Sequence, residues 1–174
     1  MGLNGDFRTS ISASISNNEE RRMIDCTFEL NGKPMSLFNC GATSFPAFSG
    51  FGAHANRREF ACDAGVGPIP SGIYYIFDRE SGGLLGPVRD FFNDRSDWFA
   101  LHAIDEKIDD ETFCDMVKRG SFRLHPKGAL GISEGCITIE SRSDYQRLRA
   151  MLKGSSTVTV PGSPLKAYGR VIVK

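Results

Sequence analysis

"SFRLHPKGALGISEGCITIE", residues 121–140, is the stretch on which the reading of this chain turns. Phe122 and Leu124 alternate with Arg123 and His125, the period-two pattern of a strand, so His125 is expected at a strand end, facing the same way as Arg123. "GCITIE" reads as a second strand with Cys136 at its start. The intervening "PKGALGISEG" is glycine-rich and predicts a loop, and a hairpin-like connection would bring the imidazole and the thiol together. A structural strand-loop-strand that merely contains His125 and Cys136 is the competing reading.

The chemistry of the two side chains gives the pairing its interest. A free thiol is mostly protonated near neutral pH, and a neighbouring imidazole can take its proton and leave a nucleophilic thiolate. Gly135 lets backbone and substrate approach the sulfur closely. The N–H groups of Gly135 and Cys136 are candidate donors to an oxyanion on an attacked carbonyl. Arg123, beside His125, is a candidate carboxylate binder or a solvated strand arginine. Ser133 is a candidate for orienting the cysteine loop, or a turn serine, and Glu134 a candidate substrate contact or a solvent-facing carboxylate. His102 reads as a packed strand histidine and His54 as an exposed loop residue. Phe91, Phe92, Trp98 and Phe99 read as core rather than as a sugar-stacking platform.

Working outward, residues 1–22 are polar and Ser/Asn-rich, and predict a loosely ordered arm ahead of a single domain over 23–174. "MIDCTFELNGKPMSLFNC" alternates on both sides of Asn31-Gly32, with Ile24, Cys26, Phe28 and Leu30 on one face, and predicts a β-hairpin. Residues 41–72, rich in Gly, Pro and Ala, predict loops. "GIYYIFD" (72–78) and "DWFALHAI" (97–104) predict strands, as do residues 155–160 and 168–174. One helix is expected after Asp109 or Asp110, with Phe113, Met116 and Val117 on one face and a stop at Gly120. A second is expected from the Ser141-x-x-Asp144 capping box, with Tyr145, Leu148 and Leu152 buried and a stop at Gly154. Together these give a mainly β, α+β domain with two short helices, built as a β-sandwich or a partly open barrel.

Composition narrows the function classes. The 174 residues suffice for one well-buried core, and 40% hydrophobic with 24% charged residues is ordinary for a globular protein. Lys plus Arg equals Asp plus Glu at 21 each, which removes the electrostatic argument for a nucleic-acid partner. No apolar run reaches the roughly 18 residues of a membrane span. Residues 1–22 show no basic segment followed by an apolar core, so no secretory signal peptide is expected there. Five cysteines without a C-x-x-C pair argue against a zinc site, and neither metal nor cofactor is expected. The odd count suggests that one cysteine is kept for chemistry, with Cys26, Cys40, Cys62 and Cys114 free or paired.

Residues 121–140 resemble the catalytic motif of the L,D-transpeptidases, cysteine enzymes of peptidoglycan remodelling. His125 fits the upstream histidine of that motif, and Ser133, Gly135 and Cys136 fit its Ser/Thr-x-Gly-Cys segment. "GPIPSGIYYI" (67–76) resembles the strand that precedes the active site in that family. The wording is closer still to the L,D-transpeptidase-like antibacterial effectors delivered by type VI secretion, and the resemblance covers roughly residues 50–153. Three features depart from the housekeeping enzymes: Glu134 stands where a histidine is usual, Ile137 and Thr138 follow the cysteine, and the His-to-Cys loop is short.

The resemblance implies that Cys136 attacks the carbonyl of the third residue of a tetrapeptide stem while His125, held by the Pro126 carbonyl, moves the proton. The departures favour transfer to water (carboxypeptidase) or to a free D-amino acid (exchange) over cross-linking. It further implies peptidoglycan stem peptides as substrate, a secretion-machinery component and an immunity protein as partners, synthesis in the producer cytoplasm and action in a target-cell periplasm. The alternatives are a housekeeping cross-linking enzyme, a papain-like peptidase and a non-catalytic wall-binding domain. The second is disfavoured because His125 precedes Cys136 and the residues after the cysteine are strand-like.

Overall fold

The computed structural model describes residues 23–79 and 97–174. The expected N-terminal arm and Phe91 and Phe92 lie outside the described residues. Eight strands close into a barrel: β1 (Ile24–Phe28), β2 (Ser36–Cys40), β3 (Thr43–Phe48), β4 (Gly72–Asp78), β5 (Phe99–Ala103), β8 (Arg123–Pro126), β9 (Ile137–Ile139) and β12 (Gly169–Val173). Round the barrel the order is β1-β12-β4-β5-β8-β9-β3-β2, and the pairing of β1 with both β2 and β12 closes the ring. Two small two-stranded sheets stand outside it: β6 (Glu111–Cys114) with β7 (Val117–Gly120), and β10 (Val158–Thr159) with β11 (Lys166–Ala167).

Period-two alternation fills the interior. Cys26 and Phe28 from β1, Phe38 from β2, Phe45 and Ala47 from β3, Leu124 from β8, and Ile137 and Ile139 from β9 are all buried. The helix α1 (Arg142–Lys153) packs against β3, β8 and β9 and adds Tyr145, Leu148 and Leu152 to the same core. Its ends are those expected: the Ser141 hydroxyl accepts the Asp144 N–H at 3.0 Å, and the Gly154 N–H donates to the Ala150 carbonyl. On the outer face of β4 and β5, Tyr75, Phe77 and Ala100 meet Val158, Val160 and Ala167 in a second cluster. That cover explains why β4 is buried on both faces from Tyr74 to Phe77.

The architecture is therefore a closed barrel, neither a sandwich nor partly open, and the described residues contain one α-helix rather than two. Where a helix was expected after Asp110, the chain makes the β6–β7 hairpin, with Cys114 opposite Val117 and Asp115 in the left-handed region at φ 54°. Phe113, Met116 and Val117 mimic a helical stripe but have no face to bury: they are 67%, 95% and 40% exposed. A disulfide from Cys114 to Cys62 and the buried Arg119 hold the hairpin instead. Arg119 donates to the carbonyls of Ala61, Gly67 and Pro68. Cys26 and Cys40 remain free and face each other across β1 and β2. Residues 41–72 also contain a strand, β3, hidden by Pro46, which sits just outside the β3–β9 ladder that begins at Ala47 and there only has to accept, its carbonyl taking the Glu140 N–H.

Removing the Cys62–Cys114 bridge is expected to lower stability by about 2–4 kcal/mol, the range for a cross-link closing a loop of this order. Urea unfolding with and without reductant checks this, and Cys62→Ser should reproduce the reduced protein while becoming insensitive to reductant.

Candidate active site

The β8–β9 pair sets the site. The two strands are parallel, with Leu124 opposite Ile137, His125 opposite Thr138 and Pro126 opposite Ile139. They are not joined as a hairpin, so residues 127–136 must travel back along β8 before β9 begins. They do so as a loop over the outer face, with Gly131 at φ 61° and Gly135 at φ 113°. The loop walls a cleft of about 510 Å³ lined by Trp98, His125, residues 128–134 and Cys136. Inward-facing Leu124 and Ile137 belong to the core, so the alternating residues Arg123, His125 and Thr138 turn outward. Cys136 stands two residues before Thr138, the register partner of His125, and it and His125 line the same cleft.

The imidazole is closely held. Its Nδ1 lies 2.8 Å from the Pro126 carbonyl oxygen, which can only accept, so Nδ1 carries the proton and Nε2 is the basic nitrogen of the neutral ring. Nε2 is 3.4 Å from the Thr138 hydroxyl. Trp98 stacks on the ring with centroids 4.1 Å apart and planes 16° from parallel. Only 6% of His125 is exposed.

The cysteine loop hangs on two buried serines. Ser133 donates to the Cys136 carbonyl at 2.7 Å and accepts the Gly50 N–H at 3.3 Å. Ser49 donates to the Gly135 carbonyl at 3.3 Å and accepts the Ile69 N–H at 2.8 Å. In a planar trans peptide the carbonyl of Gly135 and the N–H of Cys136 point in opposite directions, so Ser49 aims that N–H away from the interior. Gly135 has no room for a side chain: a Cβ there would come 2.7 Å from Arg119 Nη2 and 2.9 Å from the Phe122 ring.

Cys136 is a half-buried free thiol that donates weakly to the Ser121 carbonyl at 3.9 Å. Burial pushes the thiol above its ordinary range, and the Arg123 backbone N–H and guanidinium pull against this. The carboxylates of Glu134 and Asp110 add to the rise. Arg123 is not an open anion site: Asp110 grips its guanidinium with two contacts of 2.6 Å, and the Phe122 carbonyl accepts a third at 2.8 Å. Glu134 is exposed on the cleft wall.

The expected site residues thus fall into two groups. His125, Cys136, Ser133, Glu134, Gly135 and Pro126 come together round the cleft, whereas Arg123 is occupied by Asp110. His102, 3.7 Å from Asp110, and His54, edge-on to Phe60, do not line the cleft. Trp98 is a cleft residue rather than core, a placement foreshadowed by its sharing the outward phase of Ala100 and His102 in β5. Ser49, Asn56 and Asp110 had no local signal, because the contacts that place them reach Gly135, Lys33 and Arg123 from other segments of the chain. Among the described residues no group of three or more His, Cys, Asp or Glu is placed to hold a metal, and no helix is long and apolar enough to cross a membrane.

Compared with known proteins, residues 43–163 match the family model of the Tlde1 domain, a type VI secretion effector domain. No curated protein and no solved structure matches the chain.

The charges round the sulfur give a sign that can be checked. Glu134→Gln and Asp110→Asn each remove a negative charge that disfavours the thiolate, so both should move the midpoint of Cys136 alkylation by iodoacetamide to lower pH. Alkylation rates followed against pH test this, and a midpoint that rises in either variant would contradict the electrostatics described.

Proposed function

Since the chain belongs to the Tlde1-domain family of type VI secretion effectors, we propose that it is a peptidoglycan-modifying cysteine enzyme, an antibacterial toxin acting on tetrapeptide stems in the target periplasm. The observation that carries this reading is the Nδ1 contact between His125 and the Pro126 carbonyl, which leaves Nε2 basic in the cleft that also holds the Cys136 thiol. The motif that resembles the L,D-transpeptidases supplies the substrate class.

The raised thiol explains why a base is required. Cys136 stays neutral until His125 Nε2 takes its proton, and the sulfur then attacks the carbonyl of the third stem residue. The Cys136 N–H, turned outward by Ser49, and the Gly135 N–H are the candidate oxyanion donors. As the tetrahedral intermediate collapses, the imidazolium returns a proton to the departing terminal amine, leaving a thioester on Cys136. Water or a free D-amino acid then takes the acyl group, giving carboxypeptidase or exchange chemistry. The short His-to-Cys loop, 127–136, lines one wall of the cleft, and a short acceptor side favours these small acceptors over a second stem.

Digestion of purified muropeptides is the direct test. Tetrapeptides should lose one alanine and pentapeptides should be poor substrates, while Cys136→Ala and His125→Ala should each lose nearly all activity because the two residues act as a unit. A Cys136→Ala protein that still trims tetrapeptides would remove the reading. In cells, the chain fused to an export signal should cause swelling or lysis, and the same fusion carrying Cys136→Ala should not. Equal toxicity from both would point to another target.

A further inference from the structure

One feature of the cleft lies outside the thiol–imidazole chemistry itself. Extending the antiparallel register of β5 and β8, in which Phe99 faces Leu124, places Trp98 directly across from His125. Thr138 is opposite His125 on the other side. The imidazole therefore sits in a row Trp98–His125–Thr138 across three strands, with an indole face on one flank and a hydroxyl 3.4 Å from Nε2 on the other. At 4.1 Å and 16° the indole covers one face of the ring almost flat, the arrangement in which an aromatic face attracts a cation.

We infer that Trp98 is a positioning residue that acts through His125: its indole holds the imidazole with Nε2 in the cleft and stabilises the imidazolium formed when Cys136 gives up its proton. In that step the S–H bond breaks and an Nε2–H bond forms, so the net change is one positive charge under the indole and one negative charge on sulfur. Arg79, whose guanidinium lies 5.8 Å from the Trp98 ring centroid, opposes the new cation, Arg123 on the same strand is already paired with Asp110, and Glu134 on the cleft wall favours the cation. The indole is the neutral group that shifts the balance toward the ion pair. This inference rests on the pairing of Cys136 with His125 proposed above, but not on the identity of the substrate.

Trp98 is the chain's one tryptophan, so its emission reports on this stack alone. A protonated imidazole in contact with an indole quenches it. Emission of the wild-type protein should therefore fall as acidification protonates His125, and His125→Asn should abolish that transition. Independently, Trp98→Leu should slow neutral-pH alkylation of Cys136 by roughly five- to tenfold and displace its pH profile, whereas Trp98→Phe, which keeps a ring face, should recover most of the rate. Emission indifferent to His125→Asn overturns the inference even if the Trp98 variants fail to fold, and so do superimposable alkylation profiles for wild type and Trp98→Leu. If both readouts behave as expected yet muropeptides are untouched, the substrate assignment falls and the role of Trp98 stands.

Discussion

The parallel pairing of β8 with β9 is the constraint from which the cleft follows. Antiparallel neighbours can be joined by a tight turn, but parallel neighbours need a return path, and here the path is residues 127–136. Because the inner face of the barrel is already filled by Leu124, Ile137 and Ile139, the return can pass only over the outer face. That route walls a cleft above β8 and β9 and delivers Cys136 to the start of β9 on the face that carries His125. A glycine is needed at 135 because the loop re-enters against Arg119 and Phe122, where even a methyl group would collide.

Holding such a loop in place takes polar anchors in a dry setting. Ser49 and Ser133 are buried, and each both donates to a carbonyl of the cysteine loop and accepts a backbone N–H from the segments that cover it. Both serines are thus satisfied twice, which is what makes burial of a hydroxyl tolerable. Asn56 extends the network, accepting the Ser49 N–H at 2.9 Å and donating to the Lys33 carbonyl at 2.9 Å. The same dryness raises the thiol, so under the proposed function the sulfur, fixed by this geometry, depends on His125 for activation.

Local patterns were legible where a single segment carried the whole signal. The capping box at Ser141, the alternation in residues 24–30 and the strand phase of residues 122–125 each state their structure in a few neighbouring residues. His125, Ser133, Gly135 and Cys136 were legible as candidates for the same reason, and Pro126 through what the resemblance implied. Barrel closure was not, because it rests on β1 pairing with β12 from the other end of the chain. Nor was the β6–β7 hairpin, since the spacing of Phe113, Met116 and Val117 satisfies a helical period while the decisive contacts come from Cys62 and Ala61. The pairing of Arg123 with Asp110 was hidden likewise, because nothing near Arg123 in sequence shows that its charge is already met.

The central claim is that Cys136 and His125 form a thiol–imidazole pair that takes up an acyl group from a peptide stem. Intact-mass measurement of the protein during turnover of a tetrapeptide substrate, followed by peptide mapping, tests it most directly. The account predicts a transient adduct equal to the stem minus its terminal residue, mapped to Cys136, labile to hydroxylamine and lost in His125→Ala. Substrate turnover with no adduct on Cys136, or with an adduct mapped to another residue, would contradict it.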